Sequence, residues 1–237
     1  MNVPDGTSEP TGPRPDTRSQ GLPTYLVLDV SKSMKVHEQL LNETLVHILN
    51  TLYEAPRISE FVQLSIVTFA TRPHLVLGMT EISKLTGLPK VECRGSTYFA
   101  PLFELLHDQI ELDLPRLIAR GVRPLRPVVF LLTDGAPADC PPERWENAFE
   151  ALTDRSWRPH PHVITYGFGE AVETVLKRIA TAAAFIADPH QGTDTTALTA
   201  ALSNMLNSLV ATAQAQTLQV PQEVSGYRSL PLDYIEY

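Results

Sequence analysis

The sequence contains few cysteines and no long hydrophobic run, and each shortage argues against a class of protein. Its 237 residues include two cysteines, Cys93 and Cys140, which are too few for a disulfide framework and lack the paired spacing of a zinc site. No apolar run approaches the roughly 20 residues of a membrane-spanning helix, and the first residues lack the hydrophobic region of a signal peptide. We therefore expect a cytoplasmic protein with reduced thiols and no membrane span.

Positive charge is also scarce. The chain carries 19 Lys and Arg against 27 Asp and Glu, for a formal net charge of -8. This balance argues against the broad basic surface that nucleic-acid binding requires. With 43% hydrophobic residues the chain can bury one substantial core, so we expect one domain that does not bind nucleic acid.

Hydrophobic patterning divides the chain into three parts. Residues 1–20 contain almost nothing to bury, which predicts a disordered N-terminal arm. Residues 21–214 alternate between apolar and amphipathic stretches and are predicted to form the domain. Residues 215–237 show no clear period, which predicts an extended tail that either lies over the domain or serves as a docking segment.

Predicted strands and helices alternate along residues 21–214. Apolar runs predict six strands, at residues 24–30, 62–70, 75–80, 127–133, 162–168 and 185–187. The second and third of these are expected to form a hairpin. Stripes of helical period predict five helices, at residues 36–52, 97–115, 143–155, 171–183 and 195–213. The second of these is expected to break or kink near Pro115. This order is typical of an α/β, Rossmann-like fold with a mostly parallel central sheet and helices on both faces.

Oxygen-bearing side chains occur in three loops that the predicted sheet places at one edge. Asp29, Ser31 and Ser33 follow the first strand, Thr97 opens a helix, and Asp134 closes the strand at 127–133. Ligands of open parallel sheets gather at the carboxyl ends of the strands. Two carboxylates and three hydroxyls suit Mg²⁺, with Mn²⁺ or Ca²⁺ as alternatives, whereas zinc sites favour nitrogen and sulfur. The sequence therefore predicts a magnesium site.

Taken alone, the pattern D-x-S-x-S is weak evidence for a metal site. It also suits a strand-end turn in which a serine caps the next helix, and a pair such as Asp134-Gly135 is ordinarily a turn. Placement favours the metal site, because Asp29 and Asp134 each close a buried apolar strand while Thr97 opens a helix between them. Alternate residues of the first loop can also point to one side as the chain leaves the strand.

These five residues resemble the metal-ion-dependent adhesion site of von Willebrand factor A (vWA) domains, in which D-x-S-x-S is followed by a distant Thr and a distant Asp. Residues 22–34 and 129–137 look most like the bacterial TerY-like group, which is associated with tellurite-resistance and stress gene clusters. The resemblance covers about residues 22–213. It implies a non-enzymatic interaction module of a stress-response system.

In such domains the two serines, and often the threonine, bind the ion directly, whereas the aspartates bind it directly or through water. The resemblance implies that one open coordination position takes a Glu or Asp from a partner protein. A kinase or phosphatase encoded nearby is the kind of partner that the TerY-like group suggests. The motif departs from that group at Lys32, where Gly is frequent; this cation either steers an acidic ligand, lowers ion affinity, or is simply solvated.

Two other functions compete with the interaction module. In a haloacid-dehalogenase-like phosphatase Asp29 would be the nucleophile, but that chemistry needs a second acid two residues later, where this chain has Ser31. A structural adaptor with a vestigial metal site predicts that partner binding survives chelation of the metal.

Overall fold

The computed structural model describes residues 19–85, 87 and 90–232. Within these residues the chain forms eight strands, numbered in chain order: β1 Ser19–Asp29, β2 Val62–Phe69, β3 His74–Glu81, β4 Val122–Pro124, β5 Val128–Thr133, β6 His162–Gly167, β7 Ala183–Ala187 and β8 Tyr227–Leu230. The same residues form six α-helices: α1 Glu38–Tyr53, α2 Pro56–Phe61, α3 Ala100–Ala119, α4 Glu143–Thr153, α5 Glu173–Arg178 and α6 Asp194–Ala215.

The strands form one sheet in the order β3-β2-β1-β5-β6-β7-β8, and β4 pairs with the start of β1. The neighbours β2, β1, β5, β6 and β7 are parallel, whereas β3 and β8 add antiparallel edges. Every residue of β2 and β5 is buried, as expected for strands covered on both faces. The predicted α/β fold with a mostly parallel sheet is therefore confirmed.

Alternation along β1 separates two hydrophobic cores. Tyr25 and Val27 face the side covered by α3 and α4, while Leu26 and Leu28 face the side covered by α1 and α6. With helices on both faces, the loops that leave the carboxyl ends of β1, β5 and β6 come together at one edge. No helix in the described part of the chain is long and apolar enough to cross a membrane.

The ends of the chain differ from the sequence prediction. The strand β1 begins at Ser19, inside the predicted arm, and residues 1–18 lie outside the described residues. The predicted tail contributes β8, which pairs with β7 and buries Tyr227, whose Oη donates to the Ala197 carbonyl at 3.0 Å. Residues 233–237 of the tail also lie outside the described residues.

Three helix predictions were wrong in detail. The helix α3 continues through Pro115, because the apolar face on both sides of it, at Ile110 and Leu117, is buried in one core. The first helix begins at Glu38 rather than at Val36, which lies in a short 3-10 turn and is 83% exposed. The helix α5 ends at Arg178, earlier than the predicted residue 183.

A buried polar pair joins β1 to α3. The Tyr25 Oη donates to Asp113 Oδ2 at 3.0 Å, and burial raises the pKa of both groups above their usual values. The Arg116 guanidinium, on the exposed side of this pair, lies 3.8 Å from the Asp113 carboxylate.

We expect Tyr25→Phe to lower the free energy of unfolding by about 1–3 kcal/mol, because the Asp113 carboxyl would lose a buried donor. Urea denaturation of the full chain measures this change. Tyr53 is 57% exposed, so Tyr53→Phe is the matched control and should unfold like the wild type. Equal destabilisation by the two substitutions would contradict the assigned role of the pair.

Candidate metal centre

The structure brings the five predicted side chains together at the carboxyl edge of the sheet. Asp29 is the last residue of β1, Asp134 follows β5 directly, and Thr97 lies three residues before α3. Hydrogen bonds link all five residues, and the bond between Asp29 and Ser31 uses the Ser31 backbone N–H. Their proximity is therefore a property of the fold, whereas their role as metal ligands stays a prediction.

Asp29 is fully buried at the centre of the cluster. Its Oδ1 accepts the Ser31 backbone N–H at 2.8 Å, and its Oδ2 accepts the hydroxyls of Thr133 at 2.6 Å and Thr97 at 3.3 Å. The sequence prediction did not include Thr133. Its signal was available, because a hydroxyl ends the apolar run of β5 immediately before Asp134.

The two serines connect the first loop to Asp134. The Ser31 and Ser33 hydroxyl oxygens lie 3.0 Å apart, and Ser33 donates to Asp134 Oδ1 at 2.9 Å. Serines that directly precede a helix would lie beside its N-terminal amides, which stabilise negative charge. Instead, Ser33 begins the 3-10 turn Ser33–His37 and α1 starts only at Glu38, so the amides of α1 do not adjoin the serines.

The two carboxylates are electrostatically strained. Burial and the charge of Asp29 raise the pKa of Asp134 to about 6, and the hydrogen bond from Ser33 opposes this shift. Burial also raises the pKa of Asp29, against the hydrogen bonds that it accepts from Thr133, Ser31 and Thr97. The charge of Asp194, at the start of α6, adds to the repulsion at Asp134.

The loop after β6 packs closely against Asp134. Gly169 has a φ of +59°, and a Cβ at this position would lie 3.4 Å from the Asp134 carbonyl oxygen and 3.7 Å from Asp194 Oδ2. The next residue, Glu170, donates its backbone N–H to that carbonyl at 2.9 Å. No sequence motif marked Gly169 or Asp194 as part of this edge.

Asp139 fastens two of the site loops to each other. Its carboxylate is buried and accepts the backbone N–H groups of Phe99 at 2.8 Å and Ala100 at 3.0 Å, at the start of α3. The Ala138 N–H donates to the Thr97 carbonyl at 2.7 Å. The loop that carries Asp134 is therefore tied directly to the loop that carries Thr97.

The chemistry of the cluster fits a hard divalent cation. Its two carboxylates and three hydroxyls are the oxygen donors that such ions prefer. Two facing negative charges also gain from a shared cation, which would remove their repulsion. Nowhere in the described part of the chain do three or more His, Cys, Asp or Glu side chains group together as a metal site, so any ion here would depend on the hydroxyls.

Comparison with known proteins identifies the fold. No protein-family model matches the chain, and no curated protein matches it. Solved structures do: the proximal thread matrix protein 1 of the mussel byssus, with a zinc-occupied MIDAS motif, is 16% identical with a TM-score of 0.54. A von Willebrand factor type A protein from Catenulispora acidiphila is 14% identical (TM-score 0.54), and the pilus adhesin SpaC from Lactobacillus rhamnosus GG is 12% identical (TM-score 0.61).

These likenesses cover 81% of this chain but 48%, 43% and 31% of the mussel, Catenulispora and Lactobacillus chains. The chain thus spans less than half of the length of each of these three proteins. At such low identity the comparisons establish the fold, which is that of vWA domains, and leave the activity to be argued from the site itself.

Proposed function

We propose that the cluster of Asp29, Ser31, Ser33, Thr97 and Asp134 binds a divalent cation through which this α/β domain holds an acidic side chain of a partner protein. The observation that carries this proposal is that hydrogen bonds join these five residues at one edge of the sheet, side chain to side chain except between Asp29 and Ser31, where the Ser31 backbone N–H donates. When bound, the cation would offer a coordination position to a partner carboxylate.

Burial gives the site a closed floor and an open side. Asp29, Ser31, Thr97 and Asp134 are buried, whereas Ser33 is exposed. The buried groups are held in place by Thr133 and by the loop contacts of Asp139, which limits reorganisation on binding. A partner side chain would therefore approach from the side of Ser33.

The finer parts of the proposal rest on ligand chemistry and on resemblance. Hard oxygen donors favour Mg²⁺, with Mn²⁺ or Ca²⁺ as alternatives, and the zinc-occupied motif of the mussel protein supports a divalent ion in general. Similarity of residues 22–34 to TerY-like proteins suggests a cytoplasmic stress or tellurite-resistance-type system. The partner would then be a kinase or phosphatase of the same gene cluster.

The structure favours binding over phosphoryl transfer. In a phosphatase that used Asp29 as nucleophile, residue 31 would have to protonate the leaving group. Here residue 31 is a serine whose hydroxyl contacts Ser33 Oγ at 3.0 Å. We therefore propose a non-enzymatic module.

Affinity capture from cell lysate, in Mg²⁺ or in EDTA, tests this function. The test variant is Ser33→Ala, which removes one exposed hydroxyl of the cluster, and the matched control is Ser96→Ala, an exposed serine beside Thr97. We expect partners to be retained by the wild type and the control in Mg²⁺, because both keep all five ligands. Ser33→Ala should reduce recovery about tenfold, and EDTA should abolish it.

Equal recovery by all variants in both buffers would remove the ion from the mechanism and favour the structural adaptor. Turnover of a generic phosphomonoester that disappears in Asp29→Asn would instead favour the phosphatase.

A further inference from the structure

We propose that a basic cavity beside the candidate metal centre binds a second acidic group of the same partner, so that the ligand is an acidic peptide segment rather than one isolated carboxylate. This inference rests on the proposed function. The cavity has a volume of about 490 Å³, and its basic residues are Arg72, His74, Lys90 and Arg94.

The cavity concentrates positive charge on a negatively charged protein. Arg72, Lys90 and Arg94 line it together with one carboxylate, Glu92, although the whole chain carries a net charge of -8. All three cationic side chains are exposed, and across residues 19–85, 87 and 90–232 none of them forms an ion pair. Their charge is therefore free to attract an acidic ligand.

The walls of the cavity are fixed by backbone contacts. Arg94 donates its backbone N–H to the Val30 carbonyl at 2.7 Å, and Ser96 donates its own to Thr71 Oγ1 at 3.1 Å. Gly95 has a φ of +87°, and a Cβ there would lie 2.5 Å from Thr71 Oγ1, so a side chain cannot fit between the two walls. Arg72 and Arg94 are thus presented by two loops that are held against each other.

The same backbone joins the cavity to the metal centre. Val30, which lines the cavity, directly follows Asp29, and Gly95 lies two residues before Thr97. The Lys32 N–H, between Ser31 and Ser33, donates to the Gly95 carbonyl at 2.9 Å. A peptide that places one carboxylate at the cation would therefore have its neighbouring residues beside the basic cavity.

The lining favours a peptide carrying several carboxylates over a single phosphate. The cations come from two segments of the chain, at residue 72 and at residues 90–94, and the same lining includes the apolar residues Val30, Ala70 and Val76. Charges that share a cavity with apolar residues complement spaced acidic side chains with aliphatic atoms between them, whereas a phosphate is best held by donors that converge on one point.

Fluorescence anisotropy with a fluorescein-labelled hexaglutamate peptide tests the inference on the full chain, in Mg²⁺ at low salt. We expect Arg72→Ala/Arg94→Ala to raise the Kd about tenfold and to flatten its salt dependence, because two rim charges are lost. The matched control is Arg123→Ala/Arg158→Ala, which removes the same charge from exposed arginines in β4 and in the loop before β6, at the opposite edge of the sheet. This control should bind like the wild type.

Equal weakening in the two double variants would overturn the inference, since it would reflect net charge alone, and so would absence of peptide binding to the wild type. Stronger competition by inorganic phosphate than by free glutamate would assign the cavity to a phosphate instead. Failure of the proposed function has a different signature. Peptide binding would then be unchanged by EDTA and by Ser33→Ala, yet would still weaken in the Arg72→Ala/Arg94→Ala variant.

Discussion

Replacing Asp134 with asparagine is expected to weaken Mg²⁺ binding by more than about 100-fold. Loss of a group that only orients a ligand already costs about 10–100-fold in metal affinity, and this substitution removes one of two carboxylates in the cluster. Asparagine retains the acceptor for the Ser33 hydroxyl, so the fold should persist. Isothermal titration with Mg²⁺ measures the loss, and Asp108→Asn, on an exposed carboxylate of α3, is the control.

When the metal is removed, we expect the same substitution to stabilise the folded protein. Because the pKa of Asp134 is raised to about 6 in the folded protein, folding favours its protonated form. The protonated Asp134 therefore contributes its full stabilisation of the folded protein below about pH 4. This stabilisation is lost as the pH rises through about 6 and the carboxyl ionises.

In EDTA at pH 8 we accordingly expect Asp134→Asn to be more stable than the wild type by about 1–2 kcal/mol, after allowance for partial solvation of the carboxylate. Urea denaturation across this pH range measures the difference. If the free energy of unfolding of the wild type does not rise relative to that of the variant as the pH falls to 4, the repulsion assigned to Asp134 is contradicted. Unchanged Mg²⁺ affinity in the variant would exclude Asp134 from the site.

Replacing Asp139 with alanine is expected to lower the free energy of unfolding by about 2–4 kcal/mol. The substitution leaves the buried N–H groups of Phe99 and Ala100 without their acceptor and removes the cap of α3. Since Asp139 also holds the loop of Asp134 against that of Thr97, Mg²⁺ affinity should fall about tenfold.

Thermal unfolding in EDTA and Mg²⁺ titration separate the two effects of Asp139. Asp139→Asn keeps one acceptor oxygen, so its losses should lie between those of the wild type and the alanine variant. Asp108→Ala, on the exposed surface of α3, should change neither quantity. An alanine variant that is destabilised but binds Mg²⁺ normally would restrict Asp139 to a structural role.

Local patterns in the sequence were sufficient to predict the central strands. The apolar run of β5 is continuous because both faces of this strand are buried, and that burial leaves a direct trace in residue type. The grouping of Asp29, Ser31 and Ser33 with Asp134 followed from strand order, because parallel strands bring their carboxyl ends to one edge. The place of Thr97 depends on a loop contact, in which the Tyr98 backbone N–H donates to the Ala70 carbonyl at 3.1 Å.

Local patterns were insufficient where a partner lies far away along the chain. Pro115 looked like a helix break, yet α3 continues because its buried face extends beyond the proline. The tail had no period of its own, and β8 became a strand because β7 offered an unpaired edge.

The sequence by itself determined which residues could form the sheet and that Asp29 and Asp134 would lie at the same edge, since both depend on residue type and on strand order. Only the tertiary structure decided that Asp139 caps a helix that begins 39 residues earlier, and that Arg72 and Arg94 share one cavity. These contacts depend on how separate loops pack against each other, and the packing of loops is a property of the whole chain that no short segment encodes.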